Sequence, residues 1–530
     1  MMARKTVLVG LVLMLFFVTT SAFAYPGSNQ HFYDRTIRRA YSPLKKGLQK
    51  KSPTPNSTPS ASPTPSASPT LSTPPASPSA SPSPSPTTST TSSPLPSPSP
   101  SDTVNVRDYG ARGDGTTDDT TALQRALDVV VAGGGGEVYV PSGIYRFSAI
   151  RIPDGVSVGG DGIARSFLHG DVTAGSNLTI ADLKLGTNGK AFKVVNGAHN
   201  SLFRNVEFTG GGSITSVEYV GPNNGVIHFE WKQSAHDITF KDCVIDRNVQ
   251  YGNSVVLVER GLPTGHYENI VFDGCHFLGS PRMHAEIIQM GENPTTGFKN
   301  INFVNCVFEP SDSEAISYGC GGFIDGSPCS GYSRVEGCLI KGGGASASQK
   351  WPYGLEMGQV VHMLVTKNTF LASRYAMINM SVNARNLATW CTITGNAFDG
   401  TRGVPHDPAA GYIMLRGAQN TFSNNNLKVA SGQQHIYLHY ADNNTIQNNT
   451  ITDLRTSGWA IWLDFDNASV NRVTGNLFQA PNAPYNTVVA RAGADQNSVT
   501  GNTFVVPKDP LLQVASGVAL IFAANDVQQP

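Results

Sequence analysis

VNCVF (Val304–Phe308) sets a cysteine in the middle of an apolar stretch, and the same frame recurs along the chain. KDCVI (241–245), DGCHF (273–277) and EGCLI (336–340) share it, and RNVEF (204–208) fits with Val206 in the central slot. Further on, asparagine fills the slot in TKNTF (366–370), TGNAF (394–398), SNNNL (423–427), QNNTI (447–451), TGNLF (474–478) and TGNTF (500–504). The central residues Cys243, Cys275, Cys306, Cys338, Asn368, Asn396, Asn425, Asn449, Asn476 and Asn502 stand 24 to 32 residues apart.

A period of that length, carried by short β-branched strands and Gly/Asn turns, marks a solenoid. Helical repeats would need amphipathic runs of ten or so residues, and none are present. If each strand stacks on the same strand of the next coil, the result is an all-β, single-stranded parallel β-helix of about eleven or more coils. Equivalent slots then lie about 4.8 Å apart along the axis. The small thiols are expected to pack inside the turn, with the asparagines bonding side chain to side chain below them. Cys391, on an apolar strand position, is expected inside too. No C-x-x-C spacing suggests zinc, and no metal site is expected on the cysteines. Cys320 and Cys329, in GCGGFIDGSPC, form the one candidate disulfide.

The rest of the chain is of three other kinds. Residues 1–24 have a basic start, the apolar run VLVGLVLMLFFV and an Ala22-Phe23-Ala24 end, the pattern of a secretory signal peptide cleaved after Ala24. Residues 25–51 form a basic tail that could touch anionic cell-wall polymer or a membrane surface. Residues 52–101 are an uncharged Ser/Thr/Pro-rich linker that cannot bury a core. The β-helix domain is expected over 102–530. The zero net charge is a cancellation, because the first 51 residues hold nine Lys+Arg against one acid. The acidic remainder argues against nucleic acid as partner.

The start of that domain, VNVRDYGARGDGTTDDTTALQRALD (104–128), resembles the N-terminal segment of the pectate lyase superfamily. The resemblance implies a right-handed parallel β-helix and a polysaccharide substrate. Within the segment, Thr117-Asp118-Asp119 offers helix N-caps. Leu123, Leu127 and Val130 make one apolar stripe of an N-terminal capping helix. Motifs of the individual polygalacturonase and pectate lyase families are absent, so the reaction stays open.

Alternate residues of the strand before each rung face outward. Aligning VIHFEWK, VVLVERG, EIIQMGE, GLEMGQV, YIMLRGA, IYLHYAD, IWLDFDN and VVARAGA gives an outward row: Glu230, Glu259, Gln289, Glu356, Met380, Arg416, His439, Asp464 and Arg491. Ser317 fills the coil between Gln289 and Glu356, and His228, Met414, Tyr437 and Trp462 line the row beside it. Glu230 and Glu259, one coil apart, approach the ~5–5.5 Å carboxyl separation of retaining glycosidases. Long excursions in the coils through Trp351 favour a groove there, with Arg282 and His284 able to line it. Arg416, Tyr437, His439, Trp462 and Asp464 form a second strip, suited equally to binding sugar or to a self-neutralising ladder under a covering loop.

The reading is an exported enzyme that cleaves a polysaccharide. Hydrolysis would use Glu230 and Glu259 and need no cofactor. β-Elimination on a uronan would use a base such as Lys232, Arg282 or His284, with calcium to neutralise charge. Lys232, Gln289 and Glu356 would help bind substrate. The alternative is a non-catalytic glycan-binding or surface-adhesion β-helix.

Overall fold

The computed structural model describes residues 103–186, 192–194, 197–210, 226–229, 234–246, 255–256, 266–278, 288–289, 297–310, 315–318, 330–343, 353–358, 360–380, 388–403, 411–431, 434–457, 459–482 and 485–530. The leader, basic tail and linker lie outside the described residues. So do Glu230, Lys232, Glu259, Arg282, His284, Cys320 and Cys329.

Each strand pairs in parallel with its counterpart one coil on. Gly411–Ala418, Thr421–Ser423 and Asn426–Val429 pair with Gln434–Asp442, Thr445–Gln447 and Thr450–Asp453. Those pair in turn with Trp459–Asp466, Arg472–Thr474 and Leu477–Gln479. Three strand columns wind around one apolar core, the right-handed parallel β-helix expected.

The turn before each rung explains the repeat. Asn205, Asp242, Asn305, Asn424 and Asn448 have φ between 50° and 55°, and Gly274 and Gly337 occupy the same position at 66°. Asn, Asp and Gly enter this left-handed region most easily. The bend turns the next residue inward, and Cys243, Cys275, Cys306 and Cys338 are buried free thiols. Below them Asn396 Nδ2 donates to Asn425 Oδ1 at 3.0 Å, and Asn425 and Asn449 continue the ladder. Asn525 adds one rung after Asn502. Inside, Phe203, Phe240, Phe272 and Phe303 stack at 4.7, 4.7 and 5.1 Å between centroids.

Cys391 is buried, but its position is more than an apolar one. It heads a second ladder, its N–H donating to Asn420 Oδ1 at 2.9 Å, and Asn444, Asn471 and Asn497 follow.

A helix spans Thr120–Ala132, and Leu123, Leu127 and Val130 are buried in the core as its stripe implied. The capping differs from expectation. Asp118 Oδ1 accepts from the Thr120 N–H, whereas the Asp119 carboxylate turns back to accept from the Arg112 and Gly113 N–H groups.

Candidate functional site

The register of the first strand column decides which residues share a row. Gln289 pairs with Ser317, Ser317 with Glu356 and Glu356 with Asn379. Asn379 pairs with Met414, Met414 with Tyr437, Tyr437 with Asp464 and Asp464 with Val489. Ser317 thus stands where expected, but the row then runs through Asn379, Met414 and Tyr437 instead of Met380, Arg416 and His439. Upstream, Gln289 pairs with Val256 and Val256 with His228, so Gln289 is level with His228 rather than Glu230.

Just beyond Met414 the pairing becomes irregular. Leu415 pairs with Leu438, but Gly417 pairs with Ala441, so His439 and Tyr440 together oppose Arg416. Such a bulge bends the strand and re-aims side chains, and Tyr440 takes φ 49° to make it. A second irregularity between Ile461 and Leu463 accompanies an inward Trp462. Trp462 is 1% exposed and stacks on Phe478 at 4.9 Å, so it is a core residue and not part of a sugar-binding strip. Met380 is likewise core. Glu356 is 4% exposed and accepts from Ser317 Oγ at 3.0 Å, so it is no solvated groove acid.

What the bulge gathers is a polar network. Tyr437 Oη donates to Asp466 Oδ2 at 2.7 Å and lies 2.5 Å from His439 Nδ1. A phenol has one proton to give. With that proton directed at Asp466, His439 carries its own on Nδ1, toward the Tyr437 oxygen, and keeps the lone pair on Nε2. Burial first, then the nearby Arg416 and Arg491 guanidinium charges, holds His439 down at about 4 despite Asp466. It is therefore a neutral imidazole at neutral pH, with its side chain about a fifth exposed. Asp464 is fully buried; Arg491 donates Nε and Nη2 to its two oxygens at 2.8 and 2.6 Å, and Gln434 Nε2 adds a third bond. Burial pushes the Asp464 carboxyl up, and Arg491 opposes it.

Met414 and Tyr437 pack with Tyr353 and Ala376 in an apolar patch separate from the main core. Beside it Asn379 is 1% exposed, and neither of its amide atoms has a protein partner. These neighbours together combine a buried aromatic patch, an unsatisfied amide, a neutral histidine and two arginines. Sequence reasoning had Arg416, Tyr437, His439 and Asp464 as one strip, and they are neighbours. It missed Asp466, although its period-two spacing from Asp464 was readable, and it placed Arg491 after Asp464 in the outward row without pairing the two. Among the described residues, no group of three or more His, Cys, Asp or Glu side chains could hold a metal ion.

Residues 103–317 match the family model described as rhamnogalacturonase A/epimerase, pectate lyase-like, and residues 323–509 match that of the periplasmic copper-binding protein NosD. Mannuronan C5-epimerase AlgE4 of Azotobacter vinelandii is 38% identical over 129 residues, 23% of this chain and 22% of that protein. Alginate lyase 7 of the same organism is 61% identical over 44 residues, 8% of this chain and 5% of that protein. The chain therefore spans about a fifth or less of these curated relatives. Among solved structures, the A-module of A. vinelandii mannuronan C-5 epimerase AlgE6 aligns over 81% of this chain and all of that one, at 16% identity and a TM-score of 0.42. PfbA, a surface adhesin of Streptococcus pneumoniae, aligns over 80% of this chain and 93% of that one, at 15% identity and a TM-score of 0.41. The coil register shows a parallel β-helix, and its residues 103–317 match a pectate-lyase-like family model.

Proposed function

We propose that this protein is an exported enzyme acting on a uronic polysaccharide, and that its chemistry begins with removal of a C5 proton at the Tyr437–His439–Asp466 network. The observation that carries the reading is a neutral His439 held against Tyr437 between two arginines. His439 Nε2 takes the proton from C5 of a uronate unit, and the electron pair left on C5 delocalises into the carboxylate. Arg416 and Arg491 supply the positive field that lowers the cost of that charge. Return of a proton to the other face of C5 epimerises the sugar. Expulsion of the C4 glycosidic oxygen, with a proton delivered to it, cleaves the chain and leaves a C4–C5 double bond. Tyr437, sharing its proton with Asp466, is placed to serve as that acid. The names of the curated relatives, C5-epimerases and an alginate lyase of mannuronan-type polymers, support this class of substrate. The expected leader and linker suit an enzyme working outside the cell.

The test is incubation with polymannuronate, pectate and a neutral glucan in heavy water, with and without a calcium chelator. Deuterium at C5, unsaturated-product absorbance and reducing ends are read separately. His439→Gln and Tyr437→Phe should each lose about 10²–10⁴-fold in rate. Undiminished turnover in both variants removes the chemistry from this network. Reducing ends without unsaturation would return it to hydrolysis, with Glu230 and Glu259 the first residues to replace. Polymer binding without turnover of any kind would support the adhesion alternative, which the PfbA likeness keeps in view.

A further inference from the structure

A second column of left-handed residues runs along the β-helix, one position before the Cys391–Asn420–Asn444 ladder. In most coils it holds amides and acids: Asn269 and Asn300 on one side, Gln419 and Asn443 on the other. These identities have a reason in the fold, since Asn enters the left-handed region readily. Asn300 Nδ2 also donates to Asn269 Oδ1 at 2.8 Å. Val470 is a single later exception, and three successive coils break the pattern with rings. Tyr332, His362 and Trp390 occupy the column at φ 58°, 53° and 58°. Their N–H groups bond to Val361, Thr389 and Ala418 carbonyls of the following coils, each at 3.2 Å, which fixes them as consecutive rungs. For Tyr and Trp such a backbone conformation is strained.

The side chains gain no burial in return. Tyr332 is 63% and Trp390 52% exposed, and His362 is exposed between them. Tyr332 and His362 stack at 5.1 Å between centroids and 14° between planes, His362 and Trp390 at 6.2 Å and 24°. Rings rooted about 4.8 Å apart along the axis reach van der Waals separation only by sliding past one another. Each therefore overlaps its neighbour like a shingle and leaves part of its face bare. The fold alone accounts for none of this, since Asn would fill the same backbone positions with less strain and no exposed apolar surface.

We infer that Tyr332, His362 and Trp390 form a glycan-binding strip, a subsite that takes pyranose rings of a polysaccharide lying along the helix axis. The coil rise is close to the length of one pyranose unit in an extended chain, so successive sugars can meet successive rungs. Sugar C–H faces pack on aromatic faces, while the His362 ring nitrogens and the Tyr332 hydroxyl can bond ring hydroxyls. The strip is continuous with the proposed centre. The rung after Trp390 is Gln419, three residues from Arg416 and so about 10 Å along the strand. The inference rests on the proposed function only in the choice of polymer.

The experiment replaces Tyr332 and Trp390 by Asn, the residue the column uses elsewhere, so that strain falls rather than rises. Binding of soluble polymannuronate and of a neutral glucan is measured by calorimetry on the full chain carrying His439→Gln, which leaves the polymer intact. The Tyr332→Asn/Trp390→Asn double variant should bind at least about tenfold more weakly, equivalent to ~1.4 kcal/mol, at an equal or higher melting temperature. Equal affinity with and without the rings overturns the inference. So does a fall of several degrees in melting temperature, which would make the stack a structural element. Loss of self-association in sedimentation, without loss of glycan binding, would assign the strip to a second copy of this chain. Failure to bind either polymer class also overturns it. Binding that depends on the rings in a protein with no turnover would leave the strip standing and remove only the proposed chemistry.

Discussion

In the coils from Cys243 to Cys338 each rung donates its thiol to a carbonyl of the preceding coil: Phe203, Phe240, Phe272 and Phe303 accept at 3.3 to 3.5 Å. In the coils from Asn368 onward the side-chain amide takes the equivalent carbonyls, Val335, Val365, Ile393 and Phe422, at 2.8 to 3.0 Å. The slot and its acceptor are the same; what differs is what the rung gives back. Asn449 Oδ1 accepts both the N–H and the Nδ2 of Asn425. The Cys306 N–H finds only the Cys338 sulfur, at 3.4 Å. A thiol is a weak acceptor, so these coils rely more on the stacked phenylalanines beside them. The lesson is that one turn geometry accepts two chemistries, one tied along the axis by hydrogen bonds and the other by packing.

The largest effect that could break this comparison is in the middle of the amide ladder. Asn449→Leu is close in volume, but it strips the acceptor from two Asn425 donors and the donor from Phe422 O and Asn476 Oδ1. Buried groups left unpaired cost about 1–3 kcal/mol each, so a loss of about 4 kcal/mol in urea unfolding is expected. A loss near 1 kcal/mol would mean that the ladder is no stronger than the thiol column.

Next in size is an effect of pH that belongs to the compact coils. His439 is held at about 4 and fully buried His435 is also lowered, in both cases chiefly by burial. An unfolded histidine takes a proton near 6.5. Between those values the unfolded chain binds more protons, so stability is full above about pH 6.5 and is lost as pH falls toward 4. For His439 the span corresponds to roughly 3 kcal/mol. The buried Asp453, bonded by Arg455 and held below the usual carboxylate range, acts only under about pH 3.8. The drop in melting temperature from pH 7.5 to 4.5 should therefore shrink in His439→Gln. An unchanged drop would show that His439 titrates alike in both states.

The coil period was legible because the rung is a backbone requirement: a left-handed turn followed by a small or amide side chain recurs wherever the chain bends. The second ladder was equally legible in QNTF, NNTI, VNRV and QNSV, but Cys391 was read as an apolar position and the series went unseen. The outward row was not legible, because it depends on bulges. Trp462, at the Ile461–Leu463 irregularity, reads as surface when it is core. At His439–Tyr440 one extra residue bulges the strand opposite Arg416. The same bulge brings Arg416, His439 and Asp466 together, so the feature that defeated alignment is the one that builds the polar network. Loop length pointed to the earlier coils, yet the network described lies where the coils are shortest.

The smallest expected effect falls on the thiol column itself. Cys306 is buried among Phe272, Phe303 and Phe308 levels, with Cys275 above it and Cys338 below. Burial pushes the Cys275 thiol up, and the adjacent Cys306 sulfur together with burial does the same to Cys338, while hydrogen bonds from these two neighbours draw Cys306 down against its own burial, so the inertness of the column rests on its exclusion from solvent. Cys306→Ala removes one sulfur and a weak donor, and the partner left behind, Phe272 O, retains a second lone pair for its strand bond. The cost should be about 1–2 kcal/mol, well under that of Asn449→Leu. Alkylation of the native protein should leave all five described cysteines unlabelled, with labelling only after unfolding. If Cys306→Ala matched the amide variant, the sulfur contacts would have to carry real hydrogen-bond strength, and the two kinds of coil would be held by the same force after all.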